Sequence, residues 1–446
     1  MILSSLIVEK LHGRYNYKLN FNRDITLLYG LNGCGKTTIL NIITAIITGR
    51  LYKLFSYKFE KIALEYLDEK KEDVPFVISI VKHEDCLKIK FKHKKENVDK
   101  LQIPEERRSR RVSNFNEDVY FDRYYILAEI KKEFNYVYLA LNRASYLYEN
   151  EDSVFYRRRL LSEDIILEPE FIAPEIQYVE NLIVRQYMLA TAQINKINDE
   201  FRNSILKSAL DLNIQMDFRK AITTFKNKMM NKSDIIKTQD SYIKVLNSLN
   251  LISNEEKKQY ENFFKKYLNR INRIINNFNN NNHDNDDFFN LILESNEMKK
   301  IDAILDISAD SENRKTSAMK SINLFLNTVN EFISSADIKK KISIDVSGHV
   351  YFSTENDEQK LSIQYLSSGE RQILVFFANL IFGVKPTSSG IFVVDEPELS
   401  LHLSWQKVFL KKALEISNNV QFIFATHAPE IIGKYRDKAK KLERSN

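Results

Sequence analysis

The sequence predicts an α/β protein whose core is built from both ends of the chain and is split by a large, mainly helical insertion. Short apolar runs typical of buried strands begin near residue 25 and again near residues 391 and 420. Between them, residues 175–340 repeat apolar side chains at helical spacing. Ten glycines and seven prolines among 446 residues are few chain breakers, which favours long helices over a fold with many turns.

The composition is that of a globular chain. Hydrophobic residues make up 43% and charged residues 28%, which excludes a largely disordered protein. No apolar run reaches the roughly 18 residues of a membrane-spanning helix, so we expect no membrane partner. The first residues lack a signal-peptide pattern, and two cysteines, Cys34 and Cys86, give no disulfide framework. We therefore expect a cytoplasmic protein.

The N-terminal part, residues 1–174, is predicted to form half of the core. Tyr15, Tyr17, Leu19 and Phe21 alternate with polar residues, as in a half-buried strand. The apolar run Ile25–Tyr29 predicts a buried strand, and residues 37–47 follow it with the pattern of a helix. Further β-rich pieces, such as residues 76–81, alternate with charged turns up to about residue 150.

The central part, residues 175–340, is predicted to be a helical arm or a partner-docking domain. Its apolar residues fall on single helical faces in two stretches: Ile183, Tyr187, Ala190, Ile194 and Ile197, and Phe264, Leu268, Ile271, Ile275 and Phe278. Strand signals return in residues 341–446, in the runs 391–394 and 420–424. This last part is predicted to complete the core.

Residues 30–37, GLNGCGKT, match the phosphate-binding pattern G-x-x-x-x-G-K-[ST] without a mismatch. A buried strand before the loop and a helix after it are the context that this motif requires. We expect the loop to bind ATP, with Lys36 reaching the β- and γ-phosphates and Thr37 ligating Mg²⁺. The predicted nucleotide-binding residues are Asn32, Gly33, Cys34, Gly35, Lys36, Thr37 and Thr38.

Residues 391–396, IFVVDE, predict the second half of this site. Four apolar residues bury a strand, and two carboxylates stand at its end. Adjacent acids in that position are costly unless a cation or water compensates them. We expect Asp395 to bind Mg²⁺ and Glu396 to polarise the attacking water.

Residues 366–370, LSSGE, resemble the signature of the ABC ATPase superfamily, with Ser368 where a second glycine is commoner. His427, after an apolar strand, resembles the switch histidine of that superfamily and is predicted to be catalytic with Glu396 and Lys36. The resemblance implies that two heads stack face to tail. Ser367 and Gly369 would then contact ATP held by the other subunit. Ser367 and Glu370 also match a capping box, and both readings can hold together.

Within that superfamily the chain resembles the OLD-like ATPases, through residues 366–373, 395–402, 405–406 and 425–431. The resemblance implies an ABC-type P-loop ATPase head that forms at least a dimer, with a higher ring left open. Many relatives continue into a TOPRIM nuclease domain, but only residues 428–446 follow the switch histidine. The chain is therefore expected to be an ATPase and not itself a nuclease.

The resemblance also implies a role in anti-phage defence. ATPases of this shape work beside a separately encoded effector nuclease, either TOPRIM, as in PARIS systems, or HNH, as in Septu and retron systems. PARIS-type ATPase subunits look the nearer match, with a phage protein as the trigger.

A RecF-like DNA-repair ATPase is the alternative. Basic residues cluster at 88–95, 107–111 and 157–159 and could contact nucleic acid, although acidic residues are interleaved and the net charge is only +6. The glutamine that usually completes magnesium ligation stays open between Gln102 and Gln177.

Overall fold

The computed structural model describes residues 1–68, 75–84, 86–92, 96–102, 121, 123–140, 174–210, 232–249, 252–279, 285–335, 339–355, 357–384, 389–417 and 419–444. The chain forms two compact units. The first contains residues 1–186 and 321–446, and the second contains residues 187–320. The predicted domain bounds, at 174 and 340, stay a prediction.

The described strands belong to the first unit. They are β1 Ile2–Leu11, β2 Tyr15–Asn20, β3 Ile25–Tyr29, β4 Lys61–Leu67, β5 Phe76–Lys82, β6 Cys86–Lys92, β7 Glu96–Gln102, β8 Tyr136–Ala140, β9 Lys340–Ile344, β10 Val350–Thr354, β11 Asp357–Ser362, β12 Gly390–Asp395, β13 Val420–Thr426 and β14 Ala439–Lys441. The predicted strands at 25–29, 76–81, 391–394 and 420–424 are confirmed.

The described α-helices are α1 Lys36–Ile47, α2 Tyr125–Glu133, α3 Pro174–Leu210, α4 Lys232–Ser248, α5 Asn254–Asn279, α6 Asn285–Ile333, α7 Ser368–Ala378, α8 Leu403–Ile416 and α9 Pro429–Ile432. The α/β class, the core made from both chain ends and the mainly helical insertion are confirmed. Within the described ranges, no helix combines the length and apolarity needed to cross a bilayer.

Three sheets are formed by the described strands. A five-stranded parallel sheet has the order β14-β3-β13-β12-β8. A six-stranded antiparallel sheet has the order β2-β1-β4-β5-β6-β7, and β11-β10-β9 form a small antiparallel sheet. The three central strands, β3, β12 and β13, are buried on both faces, which explains why their sequences are continuous apolar runs.

The core lies on both faces of the parallel sheet. Ile391 and Val393 of β12 point into a cluster with α1 and the six-stranded sheet. Phe392 and Val394, on the opposite face, pack in a second cluster with α7, α8 and the three-stranded sheet. Buried Gln421 connects the N-terminal strands to this sheet, because its side chain exchanges hydrogen bonds with the backbone N–H and carbonyl of Leu3. Packing on both faces therefore fixes the position of the parallel sheet and of the loops at its carboxyl edge.

The carboxyl ends of β3, β12 and β13 lie side by side. In the parallel register Asp395 pairs with Ala425, and Thr426 pairs with Tyr29. The chain leaves these strand ends in the glycine-rich loop, the acidic pair and the segment with His427. Loops at the carboxyl edge of a parallel sheet are where ligands bind in such folds.

The described part of the second unit is helical and has its own core. Phe264 and Ile271 of α5 are buried there with residues of α4 and α6. Ala190 and Ile197 of α3 are also buried. These residues belong to the apolar faces predicted from the sequence. Ile275 and Phe278 of the same prediction lie outside the described side chains.

Candidate active site

The loop at residues 30–37 joins β3 to α1, as predicted. Gly33 and Gly35 have φ angles of 76° and 101°, a backbone region that favours glycine. Gly35 is the N-cap of α1, and a Cβ atom there would lie 2.9 Å from the Tyr17 hydroxyl oxygen. Asn32, Gly33 and Thr37 are exposed, and Cys34, Gly35 and Thr38 are half-buried. The loop is therefore open to solvent at a helix N-terminus, where anions bind.

Lys36 is buried, yet its ammonium group stays inside the loop. Nζ donates hydrogen bonds to the carbonyl oxygens of Gly30 (3.0 Å) and Leu31 (3.3 Å). It also lies 3.5 Å from Nδ1 of His427. Burying a lysine requires such partners, and phosphate oxygens could replace them. Two of the residues predicted to be catalytic are thus in contact.

Asp395 ends β12 with only 2% of its surface exposed. Burial raises the pKa of its carboxyl to about 6; the hydrogen bond from Thr37 opposes this rise, and the nearby Glu396 charge adds to it. Its Oδ1 atom is buried and has no hydrogen-bond partner among the described residues. An orphaned carboxylate oxygen beside a hydroxyl is a donor set that suits Mg²⁺. The residues present therefore fit a magnesium ion.

Glu396 follows Asp395 in an unusual backbone conformation. Its φ is 53°, in the left-handed region that costs a non-glycine residue about 1–2 kcal/mol. The conformation is held by neighbouring hydrogen bonds: its N–H donates to Ala425, and its carbonyl accepts from Leu399. Strain of this kind is concentrated at functional sites. The turn changes the direction of the chain at the acid predicted to activate water.

Glu398 positions His427, and sequence reasoning did not assign it this role. One carboxylate oxygen accepts from the backbone N–H of His427 at 2.6 Å, and the other accepts from the Thr426 hydroxyl at 2.8 Å. The hydroxyl oxygen of Thr426 in turn accepts from the N–H of Ala428 at 3.0 Å. The only sequence signal was an acid two residues after the predicted water-activating glutamate.

Ser367 caps α7, and the predicted capping box is confirmed. Its hydroxyl accepts from the N–H of Glu370, whose carboxylate accepts from the N–H of Ser367. Burial opposes ionisation of Glu370, but hydrogen bonds from Lys340 and Ser367 outweigh it and lower its pKa. In this chain no hydrogen bond links Ser367 to the loop at 30–37 among the described residues. The phosphate-binding role of exposed Ser367 stays a prediction.

The start of α7 is packed against the segment that follows β12. A Cβ atom on Gly369 would lie 2.5 Å from the carbonyl oxygen of Ser400, so only glycine fits without a shift. Gln372, which is buried, donates to the carbonyl of Pro397 at 2.7 Å. These contacts join the signature helix to the segment that follows the acidic pair, and sequence reasoning missed both of them.

Other residues singled out in the sequence lie elsewhere. Gln102 ends β7 of the antiparallel sheet, and Gln177 is exposed on α3, so neither is shown at the site. Residues 88–92 belong to β6. The basic residues at 107–111 and 157–159 lie outside the described residues. Cys34 and Cys86 are free thiols, as the sequence predicts.

A family described as "AAA ATPase domain" matches residues 1–432 of the chain. Two named relatives match shorter segments. "Retron Ec83 probable ATPase" from Escherichia coli is 33% identical over 86 residues, 17% of this chain and 16% of that protein. "Retron Vc95 probable ATPase" from Vibrio cholerae is 25% identical over 114 residues, 24% and 22% of the respective lengths. The matched segments thus span less than a quarter of either relative.

A solved structure, the Smc head domain with an extended coiled coil from Pyrococcus furiosus, aligns with 97% of this chain and 91% of its own. The identity is 11% and the TM-score 0.40, too low to support an argument about this chain.

Proposed function

This chain belongs to the AAA ATPase domain family, and we propose that it hydrolyses ATP at the carboxyl edge of its parallel sheet. ATP binding is implied by the family. The observation that carries the proposal is the convergence of Lys36, Thr37, Asp395 and His427 at neighbouring strand ends. Lys36 Nζ lies 3.5 Å from Nδ1 of His427, and the Thr37 hydroxyl opposes the rise in the pKa of Asp395. Together they offer a phosphate-binding cation, a pair of metal-ligating oxygens and a polar side chain beside them.

Each residue has a distinct role in the proposed reaction. Lys36 exchanges its carbonyl partners for phosphate oxygens when ATP enters. Thr37 and Asp395 hold Mg²⁺, which would neutralise charge on the phosphates. Glu396 orients the attacking water and accepts its proton, and His427 donates a hydrogen bond towards the γ-phosphate. Glu398 keeps His427 in place for that contact.

We propose that two copies associate face to tail around ATP. Ser367, Ser368 and Leu31 are exposed, and the relative exposure of Leu31 reaches 85%. Ser367 opens a helix of eleven residues, whose N-terminus favours a negatively charged partner. Among the described residues Ser367 makes no hydrogen bond to its own phosphate loop, so in the proposed assembly a second copy supplies the ATP that Ser367 binds. The proposed assembly therefore contains at least two copies, and a larger ring is an alternative to the dimer.

We further propose that this ATP-dependent association controls a separately encoded effector nuclease in anti-phage defence. The names of the two relatives support a connection with retrons, and the OLD-like motifs support an ATPase that works beside a TOPRIM or HNH protein. The PARIS-type assignment and the phage trigger stay predictions from the resemblance. A RecF-like role would instead require binding of DNA.

The first test measures assembly. The Glu396→Gln variant should bind ATP without hydrolysing it, so that its mass in light scattering doubles or more when ATP is added. The matched control is Lys36→Ala combined with Glu396→Gln, which should stay at its ATP-free mass. Undiminished turnover in Glu396→Gln would refute its role, and an ATP-independent mass would refute assembly around the nucleotide.

The second test identifies the partner. The chain is expressed with its neighbouring reading frames and purified, and co-purifying proteins are identified by mass spectrometry. A stoichiometric TOPRIM or HNH protein is the expected result. Nucleic acid alone, together with DNA-stimulated ATPase activity, would contradict the defence proposal and favour the RecF-like alternative.

A further inference from the structure

The segment at residues 439–444 lies against the start of the phosphate loop. Its first residues form β14, which pairs in parallel with β3. The N–H of Leu442 donates to the carbonyl of Tyr29 at 2.8 Å, and the Leu442 side chain is buried. Its carbonyl oxygen would lie 3.4 Å from a Cβ atom on Gly30. The segment therefore supports the position where the loop leaves the sheet.

Tyr17 of β2 supports the other end of the loop. Only 3% of its surface is exposed. Its hydroxyl donates to the carbonyl oxygen of Cys34 at 2.9 Å. The same hydroxyl is packed under Gly35, where a Cβ atom would lie 2.9 Å away. Tyr17 thus holds the residues at which the loop turns into α1.

Arg444 links the two supports. Its guanidinium carbon lies 4.4 Å from the centre of the Tyr15 ring, and the guanidinium charge acts on the Tyr17 hydroxyl, whose pKa it lowers. Burial raises the pKa of Tyr17, although Arg444 opposes the rise, so the hydroxyl stays protonated. The protonated hydroxyl can therefore donate to Cys34 while its oxygen interacts with the positive charge of Arg444. A continuous chain of contacts runs from Arg444 through Tyr17 to the phosphate loop.

We propose that Arg444, acting through Tyr17, is a positioning residue that holds the phosphate loop in the conformation that binds ATP. Glycine-rich backbone has many accessible conformations, and ordering it on binding lowers affinity. We call the contacts from Arg444 through Tyr17 to Cys34 the brace. Because the brace holds the backbone at Cys34, part of that ordering cost is removed before ATP binds. Residues 439–444 thereby contribute to affinity without contacting the nucleotide. This inference rests on the proposed ATP site.

The test compares Arg444→Ala and Tyr17→Phe with the wild-type chain. The first readout is hydrogen exchange of the amides at residues 31–36 without nucleotide, which should accelerate in both variants while β12 and β13 stay protected. The second is the Kd for ATP and for inorganic tripolyphosphate, each expected to rise about fivefold, as for the loss of one hydrogen bond. Arg444→Lys should recover part of both effects.

The matched control is Glu443→Gln on the same segment. Glu443 is exposed and pairs with Lys441, so its replacement should change neither readout. The double variant of Arg444→Ala with Tyr17→Phe should lose no more affinity than Tyr17→Phe alone, because both act on one chain of contacts.

Several results would overturn the proposal. Unchanged exchange and unchanged affinity in Arg444→Ala would show that the brace has no effect. Weaker ATP binding with normal tripolyphosphate binding would assign Arg444 to the base instead. Faster exchange throughout the first unit with a lower Tm would indicate general destabilisation. A wild-type chain that binds no ATP would refute the proposed function, whereas the exchange data would still test the brace.

Discussion

The contact between Glu398 and His427 allows the most direct test of the site. Both carboxylate oxygens of Glu398 accept hydrogen bonds, one from the His427 N–H and one from the Thr426 hydroxyl. A Glu398→Gln variant keeps the shape but replaces one acceptor by an NH₂ group, which can only donate. One of the two bonds must therefore be lost or reversed. We expect ATP binding to persist and turnover to fall.

The magnitude follows from the bonds involved. A hydrogen bond to a charged group contributes about 1.5–3 kcal/mol, roughly twice a neutral one. The amide can keep the bond from the His427 N–H and donate to Thr426, whose oxygen already accepts from Ala428. Both bonds then change from charge-assisted to neutral, and each loses about 1 kcal/mol, so the total loss is about 2 kcal/mol. If it appears in the positioning of His427, turnover falls about 30-fold.

The assay separates binding from hydrolysis. Steady-state phosphate release gives kcat, and titration calorimetry gives the Kd for ATP. Glu415→Gln is the matched control, because Glu415 is exposed on the solvent side of α8 and pairs with Lys411. His427→Ala should lose at least as much turnover, and combining it with Glu398→Gln should add little. Normal turnover in Glu398→Gln, beside a defective His427→Ala, would refute the positioning role of the carboxylate.

Three further predictions concern the loop, the signature and its cap. Lys36→Ala should abolish measurable ATP binding in calorimetry, and unchanged affinity would contradict the phosphate-loop assignment. Gly369→Ala should lower the free energy of unfolding by about 1–3 kcal/mol in urea titrations, since its Cβ would meet a backbone carbonyl at 2.5 Å; a neutral effect would show that the helix shifts freely. Because the folded pKa of Glu370 lies below 4.5, its contribution is present above about pH 4.5 and is lost on acidification. Glu370→Gln should weaken the acid dependence of the urea midpoint, whereas an identical dependence in both proteins would exclude this contribution.

Much of the fold was accessible from local patterns. Parallel strands that are buried on both faces are apolar along their whole length. Ile25–Tyr29 and residues 391–394 could therefore be recognised as strands from their short uninterrupted apolar runs. The phosphate loop could also be predicted, because its glycines are required by the local backbone conformation, with positive φ angles at Gly33 and Gly35. The positions of α1 and α7 followed from the loop and from the capping box.

The contacts that organise the site were not accessible in this way. The bond between Glu398 and His427 joins residues that belong to different strand ends, and it exists only because β12 and β13 are neighbours. The need for glycine at position 369 comes from the carbonyl of Ser400. The spacing of residues in the sequence does not show that the Ser400 carbonyl packs this closely against position 369, because a glycine contributes no side chain to a hydrophobic or polar pattern.

The segment between Glu396 and His402 connects the parts of the proposed reaction. Its first residue is the strained acid, Pro397 accepts from Gln372 of the signature helix, and Glu398 holds His427. The carbonyl group of Ser400 packs against Gly369, two residues after Ser367. A shift of His427 or Glu396 on loss of the γ-phosphate would therefore be transmitted to the start of α7. The transmitting contacts are the hydrogen bond between Gln372 and Pro397 and the close packing of Gly369 against Ser400. In the proposed face-to-tail dimer, hydrolysis at one site would in this way weaken the contact between the signature and the ATP bound by the other copy, and this would couple hydrolysis to the proposed gating.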